Sequence, residues 1–194
     1  MDPRLRGNDG ERMLNNKTIF ITGATAGFGE ACARLFVAQG ARVIATGRRA
    51  ERLGALKQSL GDKIHTIELD VRDRAAVENA IASLPPEFSK VDILINNAGL
   101  ALGLSSYEQQ RIDDIEQMIE TNINGVLYCT HALLPGMIAR DSGHIVNLGS
   151  IAGSYPYPGG NVYGATKAFI EQFSLNLRAD LLGKNIRVTN IEPG

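Results

Sequence analysis

From Lys17 onward, short runs of apolar and β-branched residues alternate with longer stretches whose apolar positions recur at helical spacing. That alternation is the pattern of βαβ units and a parallel sheet. Thr18–Thr22, Arg42–Thr46, Lys63–Leu69, Asp92–Asn96, His144–Leu148 and Ile186–Ile191 read as strands. Helices are expected over Gly27–Gln39, Ala50–Leu60, Asp73–Leu84, Arg111–Ala139 and Gly160–Leu182, several opened by small or acidic residues suited to a helix N-terminus. Pro135 predicts a kink or an early end in the fourth of these. Six such strands make an α/β fold with a doubly wound parallel sheet. Its ligand crevice should open at the carboxyl ends of the strands, where the strand order reverses.

No internal repeat, low-complexity block or interdomain linker interrupts the pattern, and 194 residues suit one domain. An apolar content of 44% and a net charge of −1 describe an ordinary globule with a sizeable core. Basic residues are scattered among acids, which argues against nucleic acid as a partner. A membrane is likewise not expected, since no apolar run approaches the about 18 residues that a span needs. Cys32 and Cys129 lie far apart on apolar helix patterns and read as buried thiols of a reducing, cytoplasmic compartment. His65, His131 and His144 are dispersed and lack metal-ligand spacing, so no metal is expected. Met1–Arg12 is polar, rich in charge and glycine, and has no apolar core of a signal peptide. It reads as a disordered tail or a start-site artefact, with the true start at Met13 and one domain over residues 13–194.

The first strand runs into Thr22-Gly23-Ala24-Thr25-Ala26-Gly27-Phe28-Gly29 and directly into a helix. Glycines at such a turn permit positive φ and let a phosphate approach the amides of a helix N-terminus. The spacing, Gly-x-x-x-Gly-x-Gly, is one residue longer than the usual dinucleotide fingerprint. A plain tight turn would use the same glycines, but the flanking strand and helix favour a dinucleotide held by Gly23, Thr25, Gly27, Phe28 and Gly29. After the second strand, where an NAD site carries an acid for the ribose 2′-hydroxyl, the chain reads Thr46-Gly47-Arg48-Arg49. Guanidinium groups at Arg48 and Arg49 suit a 2′-phosphate and hence NADP, although two arginines at a strand edge can also stand in solvent. Asp70-Val71 closes the third strand within reach of an adenine ring, and Asn96-Asn97-Ala98-Gly99 follows the fourth with small residues that permit close packing on a cofactor.

Four further positions stand out, Asn122, Ser150, Tyr163 and Lys167. Asn122 lies inside a helical stretch, where its side chain competes with backbone hydrogen bonds and needs a reason, such as a kink around an internal water. Ser150 ends the fifth strand, thirteen residues before Tyr163, and can meet it from the same crevice wall. Tyr163 and Lys167 stand four residues apart, one turn along one helical face. A nearby ammonium favours phenolate, which makes a tyrosine a usable general acid or base. Each feature alone has a plain alternative, a solvated helix face for the pair and a turn for the serine; their weight is joint.

Taken in order, the Thr22–Gly29 loop, Asn96–Gly99, Asn122, Ser150 and the Tyr163/Lys167 pair resemble the short-chain dehydrogenase/reductase family over Lys17 to Gly194. More narrowly, Gly27–Glu30, Ala45–Leu53, Asn97–Gly103 and Gly160–Phe169 resemble its NADP-dependent 3-hydroxy acid dehydrogenase branch, which includes serine and allo-threonine dehydrogenases and malonic semialdehyde reductases. The resemblance implies a Rossmann-type sheet and an enzyme that moves a hydride between NADP and the 3-position carbon of a small 3-hydroxy acid or its oxo form. It implies Tyr163 as acid or base on the substrate oxygen and Ser150 as the group holding that oxygen. Lys167 would favour the phenolate and bind the nicotinamide ribose, and Asn122 would position a water that relays protons from Lys167 to solvent. For the cofactor it implies Gly23, Gly27 and Gly29 at the pyrophosphate, Arg48 and Arg49 on the 2′-phosphate, and Asp70 and Val71 at the adenine. Asn97 and Gly99 would lie near the adenosine ribose with Ala98 between them, and Pro193 and Gly194 would begin the loop that meets the nicotinamide.

Chains of the family usually continue past this Pro-Gly with a substrate-covering segment, another helix and a seventh strand. The expectation is therefore a domain incomplete at its C-terminus, with a homo-oligomer, dimer or tetramer, at full length. Two enzyme alternatives of the same family are a 3-oxoacyl carrier-protein reductase and a general carbonyl reductase. A reading from another class is a non-catalytic NADP-binding fragment or redox sensor.

Overall fold

Strand β1 (Thr18–Ile21) is buried at every position, which is what a central parallel strand covered on both faces requires. Its side chains alternate between two cores. Ile19 and Ile21 pack with Val43 and Ala45 of β2 (Arg42–Gly47) against Ala33, Leu53 and Leu56. Those three lie on helices α1 (Gly27–Ala38) and α2 (Ala50–Leu60). Phe20 points the other way, with Ile44, Leu94, Ile145 and Val188, against Val77, Met137 and Leu177. The computed structural model describes residues 14–103 and 105–194, so the expected tail at Met1–Arg12 lies outside the described residues.

The remaining strands are β3 (Ile64–Glu68), β4 (Ile93–Asn96), β5 (Gly143–Leu148) and β6 (Ile186–Ile191), within about two residues of the expected bounds. All six are parallel in the order β3-β2-β1-β4-β5-β6. β1 and β4 are neighbours, with Ile21 beside Ile95, although β2 and β3 intervene in sequence. The crossovers reverse direction there, and the carboxyl ends of the two strands separate into a crevice. Helices α3 (Arg74–Ala82), α5 (Gly125–Ala139) and α6 (Asn161–Asp180) supply Val77, Met137 and Leu177 to the second core.

Three expectations need correction. The long fourth helix is two helices, α4 (Ile112–Ile119) and α5, joined by a π turn over Glu120–Asn124. The irregularity thus surrounds Asn122, whereas α5 runs past Pro135 to Ala139 without the expected early end. Helix capping is sparser than the small and acidic residues suggested: among the described α-helices only Asp73 caps, accepting from Ala76 N at 2.9 Å. Cys129 is fully buried, and desolvation pushes its thiol up to about 12, but Cys32 on α1 is only half-buried. Among the described residues, no helix is long and apolar enough to cross a membrane.

Candidate active site

At Gly23 and Gly29 the loop after β1 is shaped by contacts that leave no room for a side chain. Gly23 has φ +67°, and a Cβ there would stand 2.9 Å from Ala98 Cα. Gly29 lies behind the loop, where a Cβ would press on the Gly23 carbonyl and come within 2.5 Å of Asn97 Nδ2. That amide is the staple: Asn97 Nδ2 donates to Thr22 O at 2.9 Å and Gly23 O at 3.1 Å. Thr22 Oγ1 answers from the other side, accepting from Asn97 N at 3.0 Å and Ala98 N at 2.9 Å. Four residues of two strand ends, Thr22, Gly23, Asn97 and Ala98, are thereby tied into one edge. The α1 N-terminus that follows has no side-chain cap, so its first amides stay free for an anion.

A cleft of about 530 Å³ opens over this edge. Gly23, Thr25, Gly27 and Phe28 line it from the glycine loop, and Arg48, Arg49, Asp70 and Val71 from the ends of β2 and β3. Asn97, Ala98 and Gly99 complete it from the end of β4. The sequence-predicted cofactor residues of this half are therefore together, apart from Gly29, which supports the loop from beneath. Gly27, at φ +54°, has nothing within 4 Å of its missing Cβ, leaving open space in front of the helix terminus. The two arginines differ. Both are exposed at the cleft, but Arg49 is folded onto the loop, its Nε and Nη2 donating to Thr25 Oγ1 at 3.0 and 2.7 Å. A cradle of open glycine, free amides and guanidinium groups fits an anionic dinucleotide.

Gly99 is the hinge point to the second half. A Cβ on it would lie 3.4 Å from Asn122 Oδ1 and 3.7 Å from Lys167 Nζ, so cleft and lysine meet across one glycine. Lys167 is 8% exposed and donates to Leu148 O at 2.6 Å, at the end of β5. Burial lowers its pKa to about 8. Its Nζ stands 5.7 Å from the centre of the Tyr163 ring, which is half-buried one turn earlier on α6. Ser150 follows β5 and opens a short 3-10 turn, its Oγ accepting from Ala152 N at 3.2 Å and donating to Pro193 O at 3.5 Å. Ile151 N also donates to Pro193 O, at 3.2 Å, and Gly194 packs near Ile151. Pro193 and Gly194 thus belong to the Ser150 side of the crevice and not to the glycine-loop side.

Asn122 spends its whole amide on structure. Its Oδ1 accepts from Leu100 N at 2.9 Å, and its Nδ2 donates to Leu100 O at 2.9 Å and Thr166 Oγ1 at 3.1 Å. The π turn lets one buried side chain bind the chain after β4 to the helix that carries Tyr163 and Lys167. Sequence reading missed several partners of this kind: Thr22, Thr166, the Leu148 carbonyl, and Arg72, which pairs with Asp70. It also missed a buried chain beneath the crevice, in which Asn96 Nδ2 donates to Thr130 Oγ1 and Asn147 Oδ1, and Asn147 Nδ2 to Ser174 Oγ. Polar residues within apolar strands were the available signal, since each buried amide needs a partner.

The six-stranded parallel sheet with its crevice between β1 and β4 is the fold of short chain dehydrogenases. The family profile of that description matches residues 17–194, and the chain belongs to this family. The NADP-dependent 3-hydroxy acid dehydrogenase YdfG of Escherichia coli is 61% identical over 176 residues, 91% of this chain and 71% of that protein. Serine 3-dehydrogenase of Agrobacterium fabrum is 58% identical over 177 residues, again 91% of this chain and 71% of the relative. The closed form of a serine dehydrogenase complexed with NADP+ superimposes with a TM-score of 0.90 at 60% identity, over 91% of this chain and 71% of that one.

Proposed function

We propose that this chain is an NADP-dependent oxidoreductase that moves a hydride between the nicotinamide and the 3-position carbon of a small 3-hydroxy acid or its 3-oxo or semialdehyde form. The observation that carries the reading is the meeting of the dinucleotide cleft and the buried Lys167 across Gly99, with Tyr163 on the same helix face. The printed activities of relatives 58–61% identical support the substrate class.

In this reading the glycine loop and the uncapped α1 terminus hold the pyrophosphate through backbone amides, and Arg48 with Arg49 holds the 2′-phosphate. Asp70 and Val71 bound the adenine, and Asn97 to Gly99 the adenosine ribose. When bound, the nicotinamide supplies or accepts the hydride. Charge then develops on the substrate oxygen, where the Tyr163 hydroxyl gives or takes the proton and Ser150 Oγ adds a second hydrogen bond. Lys167, held by Leu148 O, keeps a positive charge beside the phenol. Asn122 acts on that lysine through position, and its turn provides for the water that returns protons to Lys167. The Pro193–Gly194 end faces the nicotinamide side.

The test is to incubate the protein with NADP+ and 3-hydroxypropionate, serine or allo-threonine and follow cofactor reduction at its absorbance band. Reduction with at least one is expected; none with all three, while NADP+ still binds, sinks the substrate assignment. A 3-oxoacyl carrier-protein reductase would instead prefer acyl-carrier substrates in competition with the free acids. A homo-oligomer, dimer or tetramer, is part of the proposal. Tyr107, Ile112 and Ile119 are exposed beside a groove of about 400 Å³ between α4 and α6, a surface suited to a second copy. A cytoplasmic setting accords with two free cysteines on separate helices.

A further inference from the structure

Asp70 is the one acid among the residues that line the cofactor cleft, alongside Arg48 and Arg49. A bare carboxylate in that wall would oppose a 2′-phosphate, which carries its charge as a dianion over most of the neutral range. The structure shows how the charge is silenced. Arg72 Nη2 donates to Asp70 Oδ2 at 2.6 Å, its Nε reaches both carboxylate oxygens at 3.0 Å, and its backbone N donates to Oδ1 at 3.0 Å. These bonds hold the Asp70 carboxyl below the usual carboxylate range, with hydrogen bonding to Arg72 the largest cause.

Arg72 does not line the cleft itself. It pairs with Asp70 and reaches across to α4 and the π turn, with Nη1 at 3.5 Å from Gln117 Oε1 and 3.8 Å from Glu120 Oε2. Between these contacts Val71 packs against the start of α5, where a Cβ on Gly125 would come within 2.6 Å of Val71 Cγ2. Residues 70–72 are therefore held from two sides, Arg72 at the π turn and Val71 at the start of α5, and Asp70 cannot swing its carboxylate away from the guanidinium without losing three hydrogen bonds.

We propose that Arg72 is a specificity-determining residue for the phosphorylated dinucleotide: by engaging both oxygens of Asp70 it offsets, with its own positive charge, the one carboxylate lining the cleft that would oppose a 2′-phosphate. The proposal rests on the NADP reading above. It assigns Arg72 a positioning and charge-balancing role, distinct from that of Arg48 and Arg49, which face the ligand.

Isothermal titration of the 194-residue chain with NADP+ and separately with NAD+ reads the ratio of the two Kd values, in which adenine contacts common to both cancel. Arg72→Met is expected to lower the preference for NADP+ about tenfold, with the deficit shrinking as salt is raised. Adding Asp70→Asn to it should recover most of the preference, and Arg72→Lys, which keeps the charge, should hold it within about threefold of the unmodified chain. Equal weakening of both nucleotides by Arg72→Met overturns the proposal, because a merely structural wall would act on both. So does a double variant as unselective as the single one. If Arg72→Met does not fold, Asp70→Asn alone decides: preference for NADP+ should rise, and a fall overturns the idea. An unmodified chain without preference for NADP+ overturns the cofactor reading and this proposal with it, before any variant is made.

Discussion

The two walls of the crevice are built by opposite means. On the β1 side the working surface is backbone: glycines at 23, 27 and 29, a helix terminus without a cap, and an Asn97 staple that holds two strand ends together. On the β5 side it is side chain: a buried ammonium, a half-buried phenol and a serine, each oriented by a main-chain carbonyl or a neighbouring helix. The difference suits the tasks proposed for the two walls. An extended anion is held by many weak dipoles that need close approach, so the wall must be stripped of Cβ atoms. Proton transfer needs one group at one place, and its orientation must be fixed by partners that do not themselves titrate, such as the Leu148 carbonyl.

The largest effect should come from the side-chain wall. Tyr163→Phe removes the proposed proton donor while leaving the cleft intact, and turnover should fall about 10³-fold with NADP+ affinity unchanged. If turnover persists, or a biological effect survives the change while NADP+ binds, the chain acts as a nucleotide-binding module and the functional contrast between the walls disappears. On the backbone wall, Gly29→Ala should cost about 3 kcal/mol in chemical denaturation, since its new methyl meets the Gly23 carbonyl and Asn97 Nδ2.

The lysine offers a sharper comparison by pH. Its folded pKa of about 8 lies below an unfolded value of about 10.4, so at pH 7 both states carry the proton and folding bears the full cost of burying the cation. Between these values the folded form has lost its proton and the unfolded form has not, so this contribution to stability improves as pH rises. The stability of Lys167→Met relative to the unmodified protein should therefore decline by on the order of 2 kcal/mol between pH 7 and 10, read from denaturation midpoints. A flat difference would remove the buried cation from the account. Smallest is Gly27→Ala: with open space around it, only the left-handed backbone is strained, and about 1 kcal/mol is expected. A cost equal to that of Gly29→Ala would mean that the loop is pliable and the staple unimportant.

Much of this site was legible in the chain because its parts are local. A glycine loop between strand and helix, and a tyrosine four residues before a lysine, are contiguous patterns whose geometry follows from helical and strand periods. Strand identities were legible for the same reason, down to the buried run Thr18–Ile21. The helix around Asn122 was less so: its misfit inside a helical pattern was visible, but the π turn that resolves it depends on Leu100 and Thr166, 22 and 44 residues away. Of the kink or early end expected at Pro135, the early end did not occur: α5 continues to Ala139 among residues of the second core.

The sequence by itself determined which elements form, that they stack into a parallel sheet, and which residues could serve a dinucleotide and a proton. Tertiary structure alone decided their partners: Lys167 with the Leu148 carbonyl, Asn97 with the loop after β1, Asp70 with Arg72 and the π turn beyond it. Periodicity constrains neighbours along the chain, but a hydrogen bond between strand ends has no local signature. It exists only once the sheet order has placed β4 beside β1 and β5 beneath α6.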